Sequence, residues 1–407
     1  MIKKITIGQL RIGMYVQDFN CGWLDHPFAR NQMMVSSIEQ LQKIRETGIK
    51  TLFIDTDKGS DVQEAPSRDE ADVSLEKEIV DLAKRVSVTP AYAPMADEIK
   101  RASKIKLDAQ NVVREVMQDA RLGRAIKMDQ VETVVQDITE SILRNPGALI
   151  GLLKIKTKDD YTFFHSVGVC TLLVAFCRSM GIDEETTRQA GLGGLLHDVG
   201  KALVPDDILN KPGKLTDEEF HIIRQHPQNG YDILLKEPTV GPIPLDITLR
   251  HHERVDGSGY PGKLAGDDIS QLAKMAAIVD VYDAITADRC YHKGMSAAEA
   301  LRKIYEWSKF HFDPALVQSF MRCVGIYPVG TLVKLESGRL GVVTRAHETN
   351  LLAPMVNVFF SIKSNTYIRP QEIDLAKPFG AGGGDKIVSH ENPEKWRVDP
   401  MKFFSMV

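Results

Sequence analysis

Between residues 165 and 283 this chain sets ionisable side chains into stretches that are otherwise apolar, and no other feature constrains its fold as strongly. His165 falls in a helical pattern over 161–180 with Val169, Leu172 and Phe176 on or near its face. Asp280 and Asp283 lie three apart on a second apolar helix over 272–286, among Met275, Ala276, Val279 and Ala284, so both carboxylates share one side. A carboxylate on a buried face is costly unless a cation or a hydrogen-bond donor meets it. Six of the 11 histidines (His165, His197, His221, His226, His251 and His252) crowd into residues 165–252. The chain must therefore either satisfy each group separately or fold these helices around one polar centre.

The surrounding pattern supplies the helices. Thr216-Asp217-Glu218-Glu219 and Ser296-Ala297-Ala298-Glu299 are capping boxes, Gly181 is a helix stop, and Asp313-Pro314 is a cap with proline at the first helical position. Residues 145–325 thus read as an all-α domain. Residues 1–60 read as a small α+β module, with strands at 4–7, 14–16 and 49–55 and a helix over 37–47. A polar linker follows from 57 to 74. The helical connector within 61–144 comprises one pattern from Ile99 to Gly123 and a second starting at Asp129 with Glu132 in the capping-box position. It either pairs two subunits as a homodimer or packs on the next domain. Short strands over 326–378 form a small β subdomain, and the glycines from Gly380 to Gly384 open a flexible tail over 379–407.

Composition bounds the function. With 407 residues, 43% apolar and 26% charged, the chain is globular and long enough for about two to four domains. A net charge of −4 argues against electrostatic wrapping of DNA or RNA, so anion binding must be local. No apolar run reaches the ~20 residues of a membrane span. The N-terminus lacks a signal-peptide pattern, and five cysteines without a CxxC pair fit reduced thiols, so a cytoplasmic location is expected.

The chemistry concentrates in a few segments. In Leu195-Leu196-His197-Asp198-Val199-Gly200-Lys201, placed near a helix end by Gly200 and Pro205, imidazole, carboxylate and ammonium converge. His with Asp suits Fe, Mn or Zn, and the lysine suits an anionic ligand. Each residue alone has a plainer reading: His197-Asp198 as a hydrogen-bonded pair, His165 as a core histidine, and His226, before Pro227, as the cation closing the helix begun at Thr216. His251 and His252 diverge by about 100° on a helix and reach one site only if it wraps that helix end. Together, His165, His197, Asp198, His226, His251, His252 and Asp280 supply the ligands for two metals. Such a pair clamps the oxygens of a phosphoryl transfer and generates hydroxide near neutral pH, so phosphodiester hydrolysis is the expected reaction class. His221, five residues before His226, faces elsewhere.

His197-Asp198 with Lys201, followed by His251-His252-Glu253-Arg254-Val255-Asp256-Gly257-Ser258-Gly259-Tyr260-Pro261, resembles the HD-GYP subfamily of HD-domain phosphohydrolases. The Lys211-Pro212-Gly213-Lys214-Leu215-Thr216 loop and the helix bearing Asp280 and Asp283 match it too. The first 60 residues, with Leu10-Arg11-Ile12-Gly13-Met14-Tyr15-Val16, resemble a module of unassigned activity that often precedes this domain in bacteria. The resemblance implies hydrolysis of cyclic di-GMP to linear pGpG or GMP, or of cyclic GMP–AMP. It implies two divalent ions per chain, Fe or Mn foremost, with Zn, Ni, Co or Mg as alternatives, held by the seven residues above. It sets Lys201 against the scissile phosphate, with Asp198 and His197 beside it. Tyr260, flanked by Gly259 and Pro261, then contacts the dinucleotide, as do Arg289, Lys293, Asp283 and Lys214. Two departures matter. Tyr161 stands where some relatives carry a glutamate for a third metal, which favours two, and Cys290-Tyr291-His292 replaces a common Pro-Tyr-Arg. A non-catalytic dinucleotide-binding module and a mononucleotide hydrolase are the competing readings.

Overall fold

The structure, a computed structural model, describes residues 1–21, 28, 31–83, 93–153, 161–211, 215–287, 294–347, 350–378 and 383–404. The N-terminal unit is a four-stranded antiparallel sheet in the order β1-β4-β2-β3, from Ile2–Thr6 (β1), Tyr15–Asp18 (β2), Met33–Met34 (β3) and Thr51–Asp55 (β4). Ile5 pairs with Leu52, and both are buried in the core beneath α1 (Ile38–Glu46), which Ser37 caps through the Gln40 amide. Residues 57–74 are not all linker: α2 (Arg68–Ala83) begins inside that polar stretch, with Asp69 and Glu70 in its first turn.

Helices α3 (Met95–Arg121) and α4 (Met128–Arg144) make up the connector. Lys127 is the N-cap of α4 and makes no side-chain cap, so the expected capping box at Asp129 and Glu132 does not form. The buried face of α4, including Val131, Val135, Ile138 and Ile142, shares one apolar core with the helices that follow. Those are α5 (Pro146–Leu153), α6 (Tyr161–Ser179) and α7 (Glu184–Leu196).

Next come α8 (Asp206–Leu209), α9 (Asp217–Ile223), α10 (His226–Leu234) and α11 (Pro242–Arg250). The helical unit is completed by α12 (Gln271–Thr286), α13 (Ala297–Trp307) and α14 (Pro314–Val324). Both complete capping boxes, at Thr216 and Ser296, and the Asp313 cap form as the sequence predicts. His226, however, opens α10 rather than closing α9, because Pro227 fits the first helical turn, where no amide is needed.

The C-terminal sheet runs β8-β7-β6-β5-β9, all antiparallel, from Leu332–Leu335 (β5), Arg339–Arg345 (β6), Met355–Ser361 (β7), Thr366–Asp374 (β8) and Ile387–His390 (β9). Pro370 lies in edge strand β8, where a missing amide is tolerated. The expected free tail is replaced by docked structure. β9 pairs with β5, and α15 (Pro393–Trp396) and α16 (Met401–Phe404) follow, with Phe403 stacked on Phe359 at 4.0 Å.

Candidate metal centre and substrate loop

Four helix ends and two helix faces converge on one buried cluster. His197 is the C-cap of α7, and a short 3-10 helix, Val199–Leu203, follows Asp198 directly. His226 starts α10, His251 is the C-cap of α11, His165 projects from α6, and Asp280 and Asp283 project from α12. The sharp turn at 197–200 is possible because Gly200 has no side chain. A Cβ there would lie 2.0 Å from the His226 carbonyl oxygen, so α10 can seat directly against the His197-Asp198 corner.

Orientation of the rings is fixed from behind. His197 Nδ1 donates to the Gly194 carbonyl at 2.8 Å, His226 Nδ1 to Ile223 at 2.8 Å and His251 Nδ1 to Thr248 at 2.9 Å. Each ring therefore turns an Nε2 lone pair inward. His165 has a carboxylate in the same role: its Nδ1 lies 2.8 Å from Asp283 Oδ2, with both residues buried. Asp283, expected at the substrate, instead stands behind His165, where it can orient and polarise that ring. Gly168, one turn further along α6, makes the room, since a Cβ on it would come within 2.5 Å of Asp283 Oδ1.

On the inner side, Asp280 Oδ1 lies 2.9 Å from His165 Nε2 and 3.8 Å from His197 Nε2. Asp198 Oδ2 lies 3.3 Å from His197 Nε2 and 2.5 Å from Lys201 Nζ, and its Oδ1 is 3.2 Å from His226 Nε2. His226 and His251 bring their Nε2 atoms to 3.2 Å, and His252 Nδ1 is 3.8 Å from Asp280 Oδ2. Within each of the sets His165/His197/Asp280, His197/Asp198/His251 and His226/His251/His252 the donor atoms fall within 4.8 Å of one another.

The electrostatics suit a cation. Burial raises the Asp198 carboxyl, but His197 and Lys201 outweigh it and hold the group well below its usual range. Burial likewise opposes ionisation of Asp280, and hydrogen bonding and charge from His165 override it. Burial pushes His251 down to about 3, helped by charge from His197 and His226, and it lowers His226 and His252 as well, so these rings offer lone pairs at neutral pH. His165 moves the other way, up to about 9, because Asp280 and Asp283 overcome its burial. Nε2 of His197 and Oδ1 of Asp198 are buried without a hydrogen-bond partner. Orphaned donor atoms at the centre of such a set fit metal coordination, and the residues can hold divalent ions.

Beside the cluster, the loop after His252 is folded on itself. The buried Glu253 carboxylate accepts from the Gly262 amide at 2.6 Å and the Leu264 amide at 3.0 Å, and the Tyr260 amide donates to the His252 carbonyl. This sets the Tyr260 ring on His252, stacked at 4.7 Å. Arg224, just past α9, lies 4.8 Å from the centroid of that ring and 4.5 Å from that of Phe220. Gly259 is buried inside the loop and Pro261 is exposed. The roles of Glu253 and Arg224 were invisible in the sequence. Glu253 gave only its adjacency to two histidines, and Arg224 only a charge near His226. Lys214, Arg289 and Lys293 lie outside the described residues. His221 is exposed and meets Gln225, away from the cluster.

A family model described as an HD domain matches residues 144–316, and one described as a domain of unknown function (DUF3391) matches residues 2–131. A cyclic di-GMP phosphodiesterase of Pseudomonas aeruginosa is 47% identical over 97% of this chain and 94% of its own length. The chain belongs to the HD-GYP family of cyclic-dinucleotide phosphodiesterases. A cyclic di-GMP phosphodiesterase response regulator of Xanthomonas campestris is 40% identical over 35% of this HD-GYP chain and 38% of its own length. A 3'3'-cGAMP-specific phosphodiesterase of Vibrio cholerae is 40% identical over 30% of the chain and 24% of its own length. No described helix of the HD-GYP chain is long and apolar enough to cross a membrane.

Proposed function

We propose that the chain hydrolyses cyclic di-GMP to linear pGpG or GMP at the His/Asp cluster, with two divalent ions, Fe or Mn. The observation that carries the reading is the convergence of His165, His197, Asp198, His226, His251, His252 and Asp280 beside Lys201 and Tyr260. His165, His197, Asp198 and Asp280 would hold one ion, and Asp198, His226, His251 and His252 the other. When bound, these ions supply Lewis-acid charge to the phosphoryl oxygens and acidify water.

The remaining work falls to the protein. Lys201, with its side chain 19% exposed, carries its ammonium on the buried Asp198 carboxylate. It would neutralise charge on the scissile phosphate. Asp198 aims the ammonium. Tyr260, its ring stacked on His252 with Arg224 4.8 Å from its centroid, would contact the bound dinucleotide, with Gly259 and Pro261 shaping the turn. Lys214, Arg289 and Lys293 would add phosphate or base contacts. Relatives specific for cyclic GMP–AMP make that dinucleotide the second candidate.

The test is anaerobic purification with metal quantification, then product analysis on cyclic di-GMP and cyclic GMP–AMP side by side. Turnover of cyclic di-GMP that disappears in His197→Ala and Asp198→Ala, with two metals per chain in wild type, is expected. Tight dinucleotide binding without linear product under Mn and Fe loading would instead identify a binding module, and three metals per chain would overturn the ligand count.

A further inference from the structure

The N-terminal unit touches both walls of the substrate side, and it does so at residues with no metal-binding role. On one wall, Lys43 of α1 pairs with Asp217, the first residue of α9, at 2.7 Å. The middle of α9 carries Phe220, and its C-terminal end leads into Arg224, whose guanidinium lies over the Tyr260 ring. On the other wall, Lys50, just before β4, lies 3.6 Å from Asp256 Oδ2 in the Tyr260 loop. Asp256 is the hub of that loop: its Oδ1 accepts from the Ser258 hydroxyl at 2.6 Å and the Ser258 amide at 3.0 Å, and His311 Nδ1 is 3.5 Å from its Oδ2. Between the two, Gly48 (φ +78°) ends α1 so close to the loop that a Cβ on it would lie 2.9 Å from Ser258 Cβ.

A second group of contacts anchors the unit itself. Trp307 Nε1 donates to the Asn20 carbonyl at 2.8 Å, and the Asn20 amide donates to Glu306 Oε1 at 2.6 Å, where Lys4 also pairs. The β1–β4 sheet is thus tied to α13, while its α1 edge presses on the loop and on α9.

We propose that the N-terminal unit is a brace that holds Tyr260 in its substrate-binding position by bridging α9 and the 253–265 loop, so that Lys43, Gly48 and Lys50 are positioning residues for the dinucleotide. Resting on the phosphodiesterase reading above, the proposal gives this unit a task in catalysis. Whatever shifts the sheet relative to α13 changes substrate affinity before it changes most of the metal centre, because the rings of His165, His197, His226 and His251 are held separately by backbone carbonyls and Asp283, and only His252 adjoins the Tyr260 loop.

The test uses the full-length, metal-loaded enzyme. Lys50→Glu sets a carboxylate against Asp256, and Gly48→Asn, a residue that tolerates this φ, drives a side chain into Ser258. Exposed ion pairs carry up to about a fivefold effect, so Lys50→Glu is expected to raise KM about fivefold with kcat and metal content near wild type. Lys50→Arg is expected to restore KM. Ser258→Gly in the Gly48→Asn background should recover part of its loss, since the two positions are in contact. Hydrogen exchange read at the Ser258, Gly262 and Leu264 amides should quicken in Lys50→Glu, a readout independent of turnover. Unchanged KM and unchanged exchange in both variants would overturn the brace while leaving the phosphodiesterase intact. Loss of cyclic dinucleotide turnover in wild type would overturn the underlying reading instead, with the exchange result still deciding whether the loop is held.

Discussion

Replacing Gly168 by alanine pits two effects of opposite sign against each other. Gly168 is in the interior of α6, where alanine is favoured over glycine by up to about 1 kcal/mol. If the position were ordinary helix, the variant would be more stable. The added Cβ, however, falls 2.5 Å from Asp283 Oδ1 and 2.9 Å from its Cγ, so the carboxylate must move. It is 3% exposed and bonded to His165 Nδ1 at 2.8 Å, so moving it breaks a charged hydrogen bond and leaves a buried anion poorly paired. Hydrogen bonds to charged groups are worth about 1.5–3 kcal/mol, which exceeds the helix gain. Outer partners of metal-binding histidines typically contribute about 10–100-fold in metal affinity. Gly168→Ala should therefore lower the melting temperature of the metal-free protein and weaken metal binding about 10–100-fold in a titration at buffered free Mn. Asp283→Asn, which removes the charge without adding volume, should weaken it similarly, and the double variant should be far from additive. A Gly168→Ala protein that melts higher than wild type and binds metal equally well would refute the reasoning.

Other consequences are open to measurement. Lys201→Met keeps the aliphatic stem and should retain metal while kcat on cyclic di-GMP falls about 10²–10³-fold, as for loss of an oriented transition-state donor; single-turnover rates at saturating substrate check this. Glu253→Gln removes the charge that clasps the Gly262 and Leu264 amides, so KM should rise more than kcat falls in steady-state kinetics. In chelator-treated protein the lowered histidines dictate the acid response. His251 is held near 3 by burial and neighbouring charge, so its stabilising contribution is present above about 6.5 and is lost as pH falls toward 3. His165, raised to about 9, contributes fully below 6.5 and loses its contribution only as pH rises through 9. Denaturant unfolding between pH 7 and 4 should therefore show stability falling by up to about 1.4 kcal/mol per pH unit for each titrating ring, less steeply in His251→Gln.

The helices of the catalytic unit were legible in the sequence because their signals are local: Thr216, Ser296 and Asp313 cap where their spacing says they should. The clustering of His165, His197, Asp198, His226, His251, His252 and Asp280 was legible because ionisable groups on apolar helices demand partners, and the structure sets these side chains side by side. Which neighbour each group meets was not legible, since it depends on how distant helices pack. Asp283 and Asp280 share one face of α12, yet a rotation of a fraction of a turn puts one inside the cluster and the other behind His165. The start of α2 was masked by its polar surface, and β9 by the glycines before it. His226 was misplaced by one helix because a proline after a histidine reads equally as a stop or as a first turn.

Helix α7 shows what assembling such a centre from separate helices requires. It carries Gly191, Gly193 and Gly194, each of which weakens an isolated helix by about 1 kcal/mol relative to alanine. The return is proximity. A Cβ at Gly191 would lie 2.7 Å from Val174, one at Gly193 2.9 Å from Ile247, and one at Gly194 3.1 Å from the Cys170 backbone. These contacts draw α7 against α6 on one side and α11 on the other, the helices that bear His165 and His251. Bulkier residues would hold the three axes apart and pull His197 out of reach of both rings, which now lie with centroids 5.2 and 4.8 Å from its own. The helix that carries His197 is thus poor as an isolated helix because it is shaped for its neighbours, and its stability comes from the same packing that closes the metal centre.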